Sequence, residues 1–174
     1  MAIVLDYFLK KDQSPDSDET ILSLVIADED GLTKVFNESD IDRCSEFLGM
    51  RTNILTYDKT IRRVYPYLTR DFITDYELNK KVFDIAAYLK KLTGHDISLS
   101  QLALATLGTD MELTRLPKEY DDSSLSEIEE KLEARAGYIK NIWDYGISNG
   151  YLVYYIRKVR KTVEVVFNDN YSSQ

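Results

Sequence analysis

Residues 82–108 read VFDIAAYLKKLTGHDISLSQLALATLG. Phe83, Ile85, Ala86, Leu89 and Leu92 recur at helical spacing, and Gly94 breaks the pattern. Ser98 or Ser100 is placed to cap a second, shorter helix that carries Leu102, Leu104 and Leu107 and stops at Gly108. The residues alone predict two consecutive buried helices.

Upstream, the pattern is that of strands. Ala2 to Leu9 is apolar or aromatic with Asp6 inside, and Thr20 to Ala27 (TILSLVIA) is nearly all β-former. Asp28-Glu29-Asp30-Gly31 suits a hairpin turn, after which Leu32 to Phe36 returns as a third strand. Asn37 to Gly49 reads as a helix with Ser39 as its cap and Ile41, Cys44, Phe47 and Leu48 inward. Thr52 to Tyr57 reads as a short strand parallel to the first. Lys59 to Leu68 is a weak helix bent by Pro66, and 70–81 is a connector.

Downstream, residues 109–122 are polar and irregular. Ser124-Leu-Ser-Glu127 is a capping box that opens a helical region reaching about Asn149, and Gly137 is a point where it can divide. Tyr151 to Ile156 and Thr162 to Phe167 read as a closing hairpin around a basic turn, Arg157 to Lys161, before a polar tail at 168–174. The expected fold is a single α/β domain over 1–174. Its mixed sheet has three antiparallel strands and then a parallel one, flanked by helices, with a C-terminal β-hairpin.

Bulk composition narrows the function. With 44% hydrophobic residues the chain can bury one core. A net charge of −8 argues against broad adhesion to nucleic acid, though it permits a local basic stripe. One cysteine, Cys44, excludes an internal disulfide and a multi-cysteine zinc site. The opening MAIVLDYFLKK is too short, and carries Asp6 too early, for a signal peptide, and no apolar run approaches the ~20 residues of a membrane span. A reducing, cytoplasmic setting without membrane is expected.

The order of residues in the 82–108 stretch closely resembles the middle of RNase H-like, DEDD-type 3′–5′ exonuclease domains. These carry a phrase of the type D-L…G-H-x-x-S-L-x-x-L-A-x-x-T-L-G between their second and third catalytic motifs. The resemblance extends over nearly the whole chain. Ile3–Phe8 resembles the first-motif strand, LTYDKTIRRVYPYL (55–68) the second motif, and KLEARAGYIKNIWDYGISNGYL (131–152) the third, anchored by Gly146 and Gly150. It implies an RNase H-like topology.

In such enzymes four carboxylates hold two divalent metals roughly 3.5–4 Å apart, one activating water and the other stabilising the leaving oxygen. Carried over position by position, the first Asp is kept as Asp6 and the following Glu becomes Phe8. The second-motif Asp falls on Arg63, or on Arg62 if the register slips by one. The third falls on Arg135, and the Tyr that orients water falls on Lys131. One carboxylate does not hold two magnesium ions, and an arginine ~4 Å from such a site repels a divalent ion by several kcal/mol. Asp58, Asp84 and Asp144 are the nearest acids that could replace the lost ones. Arg63 and Arg135 have three readings: an ion-pair cluster on Asp6, a grip on phosphate, or solvated helix surface.

Other candidates are fewer. His95, the only histidine, suits a turn, and Cys44 a small core position. Asp16, Asp18 and Glu19 lack EF-hand spacing. Arg157, Lys158, Arg160 and Lys161, with Tyr151, Tyr154 and Tyr155 beside them, have the interleaving of single-strand binders, which is also common on solvated hairpins. The leading expectation is an inactive exonuclease-like binding module in nucleic-acid metabolism, needing no cofactor. Its partners would be single-stranded nucleic acid, through Arg62, Arg63, Arg135 and the hairpin cations, or a nucleic-acid-processing protein. The alternatives are a Mg- or Mn-dependent exonuclease built on Asp6, and a protein–protein interaction domain.

Overall fold

A computed structural model of the chain describes residues 3–10, 20–28, 30–37, 39–40, 43–44, 48, 53–57, 61, 64, 68, 81–109, 116 and 125–167. Five strands form one sheet: β1 (Ile3–Lys10), β2 (Thr20–Ala27), β3 (Thr33–Asn37), β4 (Ile54–Thr56) and β5 (Val82–Asp84). Their spatial order is β3-β2-β1-β4-β5. β1 pairs antiparallel with β2, and β2 with β3; β4 and β5 add in parallel on the other side of β1. At the β2–β3 turn the Asp28 carboxylate accepts from the Asp30 and Leu32 N–H groups, and Gly31 adopts φ 82°.

β1 is central and covered on both faces. Alternation along the strand sends Ile3, Leu5 and Tyr7 to one side, where they join Leu24, Ile26, Ile54, Cys44, Leu48, Ile61, Val64 and Leu68. Among these, Cys44, Leu48, Ile61, Val64 and Leu68 are helical. Val4 and Phe8 point the other way, with Val25, Ala27, Leu55 and Tyr57. Helices α1 (Ile85–Thr93), α2 (Leu99–Leu107) and α3 (Leu125–Asn149) and a hairpin, β6 (Tyr151–Ile156) with β7 (Val159–Glu164), complete that second core. Asp6 therefore belongs to the face beneath α1–α3.

The opening stretch is two helices, as expected, but a strand precedes them. Val82–Asp84 joins the sheet edge because β4 offers it a parallel partner, Leu55 lying opposite Phe83. Asp84 ends the strand by capping α1, its carboxylate accepting from Ala87 N–H at 3.1 Å. Gly94 and Gly108 close α1 and α2 in left-handed conformations. Ser98, rather than Ser100, caps α2, in a capping box with Gln101.

α3 runs unbroken through Gly137. Its inward residues, Ile128, Leu132, Ala136, Ile139, Ile142, Trp143 and Gly146, hold helical period over its whole length, so tertiary packing outweighs the glycine's low propensity. The hairpin turn is tighter than expected, because Arg157 and Lys158 take φ 48° and 68°. Such a two-residue turn matches strand twist, so Arg160 and Lys161 lie on β7 and not in the turn. After β7, Val165 and Phe167 return to the core. Phe167 stacks on Trp143 with centroids 4.1 Å apart, and Phe83 packs edge-on against both. Thr106 on α2 ties down β6 by donating to Val153 O and accepting from Val153 N–H. Among the described residues no helix is long and apolar enough to cross a membrane. Of the connector at 70–81, all but Lys81 lies outside the described residues, as do the acidic segment at 11–19, Ser124 and the 168–174 tail.

Gly146 is where α3 touches the returning chain: a Cβ there would overlap the Phe167 ring. Gly146→Ala is expected to destabilise the fold by about 1–3 kcal/mol, the usual cost of overpacking, as read by urea unfolding. The buried thiol of Cys44 is pushed up from 9.0 to about 12 by desolvation. A pKa raised in the native state gives stability that is complete below the unfolded pKa and is lost as pH rises towards the native one. Stability should therefore fall as pH rises from 9.0 to about 12, and Cys44→Ala should flatten that decline in urea titrations.

Candidate functional site

Asp6 lies mid-strand on β1, opposite Val25 of β2, and is 0% exposed. Its charge is met from across the interface by α3. Arg135 sits three residues after Leu132 and four before Ile139, both buried, and so flanks the sheet-facing stripe of the helix. Arg135 Nε donates to Asp6 Oδ2 at 2.5 Å and Nη2 to Oδ1 at 3.3 Å. The guanidinium thus engages both carboxylate oxygens side-on, with the Arg135 side chain only 14% exposed.

Other polar groups surround this pair. Tyr57 follows β4 and shares the Asp6 face; its hydroxyl donates to Ile97 O at 2.9 Å. Burial pushes the Tyr57 phenol up, the Asp84 charge adds to the rise, and the Arg135 charge opposes it. The cation of the pair and the carboxylate capping α1 thus both act on the Tyr57 hydroxyl.

The motif positions fall as follows. Phe8, where the resemblance would put the second acid, is a buried core residue. Lys131, where the resemblance would put the water-orienting Tyr, pairs with Glu127 at 2.6 Å one helical turn back. Of the substitute acids, Asp84 caps α1 and the exposed Asp144 pairs with Lys140 at 2.6 Å. Arg62, Arg63 and Asp58 lie outside the described residues. Among the described residues no group of three or more His, Cys, Asp or Glu side chains is placed to hold a metal ion. The exposed His95 sits in the turn after α1, where its N–H donates to Thr93 Oγ1 at 3.2 Å.

The hairpin cations form a second group. Arg157 and Lys158 are exposed at the tip, and Arg160 stands directly opposite Tyr155 across the two strands. Lys161 stands opposite Tyr154 on the other face, and Tyr154 is buried. Tyr151 is engaged with Tyr145 of α3, whose hydroxyl donates to it at 3.2 Å with the rings edge to face. That hydrogen bond raises the Tyr145 phenol, and the Arg160 charge opposes the rise. The roles of Tyr57 and Tyr145 were missed from sequence. The first was available from alternation, since Leu55 and Tyr57 must share a face. The second depends on α3 and β6 folding back on each other at Gly150, which no local pattern states.

No family model matches the chain, and no curated protein or solved structure matches it.

Removing one member of a buried ion pair leaves the other uncompensated and costs about 3–5 kcal/mol. Arg135→Met, which removes the side-on partner of the fully buried Asp6, is expected to destabilise the fold by up to about that much in urea unfolding. Asp6→Leu should cost less, because Arg135 keeps some solvent contact. The double variant should recover most of the loss; simple additivity would contradict a coupled pair.

Proposed function

We propose that this chain is an RNase H-like domain of the exonuclease type whose catalytic centre is replaced by an ion pair, and that it serves as a binding module in nucleic-acid metabolism. Two features support the fold part of the reading. Three antiparallel strands are followed by parallel additions beside a central β1, and α3 crosses that strand with the third-motif segment.

The single observation that carries the functional part is the side-on grip of Arg135 on Asp6. Two-metal hydrolysis needs carboxylate oxygens free to coordinate both ions. Here both oxygens of the retained acid accept from a cation, and the second acid's position holds a phenylalanine in the core. The pair keeps the strand–helix geometry and replaces the charge a divalent ion would supply. What remains is the scaffold and its surface.

The test is degradation of a 3′-labelled single-stranded oligonucleotide, DNA and RNA, with Mg²⁺ or Mn²⁺. The expected outcome is no cleavage by folded protein and no difference between wild type and Asp6→Ala. Cleavage that disappears in Asp6→Ala would overturn the proposal in favour of a metal-dependent exonuclease.

A further inference from the structure

The tip end of the β6–β7 hairpin, on the face of Tyr155, carries a chemistry that the Asp6–Arg135 pair does not use. Tyr155 is 40% exposed and makes no ring contact among the described residues. Arg160 lies directly across from it on β7, at the distance where cross-strand side chains interact. Arg157 and Lys158 follow at the tip, both exposed, and none of these three cations enters an ion pair among the described residues.

The turn itself is an unusual place for two long cations. Both adopt left-handed backbone, where Asn-Gly is the favoured pair and other residues carry strain. A chain of net charge −8 nonetheless concentrates Arg157, Lys158, Arg160 and Lys161 within five residues. Two acids among the described residues leave this charge standing. Asp144 is matched by Lys140, and Glu164 lies at the far end of β7, opposite Tyr151. Tyr151 shares the face of Tyr155 and sits about 13 Å along the strand at ~3.3 Å per residue, with Tyr145 packed against it.

We propose that this face of the hairpin binds single-stranded nucleic acid, with Tyr155 stacking on a base and Arg157, Lys158 and Arg160 contacting phosphates. The inference rests on the domain reading above and assigns its binding surface. An exposed ring flanked by cations selects an unstacked base, which a duplex does not present. An acidic polypeptide would use the cations but gain nothing from the ring. Stacking and phosphate contacts do not use the 2′-hydroxyl, so DNA and RNA should bind alike.

The experiment is fluorescence anisotropy of full-length protein with fluorescein-labelled oligo-dT and oligo-U of about twelve nucleotides. A duplex of the same length and a polyglutamate peptide serve as competitors. Wild type should bind both single strands more tightly than the competitors, with affinity falling as salt rises. Tyr155→Ala should weaken binding roughly ten-fold or more. Arg160→Glu combined with Lys158→Glu should weaken it and flatten the salt dependence. All three side chains are exposed, so thermal unfolding should be unchanged and folding is not in question. Binding undiminished by these variants overturns the hairpin assignment while the domain reading stands. Tyr155-dependent binding accompanied by Asp6-dependent cleavage overturns the domain reading alone. No binding by wild type, or tighter binding of duplex or polyglutamate, overturns the assignment.

Discussion

A carboxylate in the middle of a central strand, with both faces of the sheet covered, has no water to turn to. Leaving such a charge unpaired costs several kcal/mol, a large part of the stability of a domain this size. Arg135 answers the Asp6 charge by bringing a guanidinium to it with two directed hydrogen bonds. The constraint reaches beyond the two side chains. For Nε and Nη2 to meet both oxygens, α3 must cross β1 at a fixed axial position and rotation, the same one that buries Leu132, Ala136 and Ile139. A lysine could supply the charge but not the planar two-point fit. The ion pair thus fixes a register that apolar packing alone would leave looser.

α3 transmits that register to the rest of the second core. Three turns beyond Arg135, Gly146 lets the returning chain approach so closely that Phe167 lies against the helix and stacks on Trp143. Phe83, at the sheet edge, closes the same aromatic group. The hairpin is held from two sides, by this group and by the Thr106 hydroxyl on β6. Its inner face is therefore fixed while its tip projects with its cations exposed. Tyr145, on α3 itself, meets the outer side of the hairpin at Tyr151.

Much of this was legible in the residues. Strong β-formers marked β1, β2 and β3, and the glycines at 94, 108 and 150 marked helix ends because each must take a positive φ. Sequence failed where a tertiary partner decides. Val82–Asp84 continues an apolar pattern that suits a helix, and becomes a strand only because β4 stands beside it. Gly137 suggested a break that packing on both sides overrides. At the site, the meeting of Arg135 with Asp6, 129 residues apart, was readable only by aligning motif positions. The mutual influence of Asp84, Arg135 and Tyr57 was not readable at all, since it depends on how three separate elements converge.

On the proposed reading, an ion pair stands where a metal centre would be, and this has an electrostatic consequence for recognition. A cluster of carboxylates is a strong local anion that repels phosphate until divalent ions fill it. On the proposed reading, that cluster is reduced to one acid, and the acid is neutralised in place by Arg135. Opposite charges in contact largely offset one another at a distance. A phosphate would have to compete with the Asp6 carboxylate for Arg135. On the same reading, cationic attraction falls to groups with no structural duty. Among the described residues, the hairpin tip supplies them: its cations lie outside both cores, face solvent, and sit beside an aromatic ring that no core contact occupies.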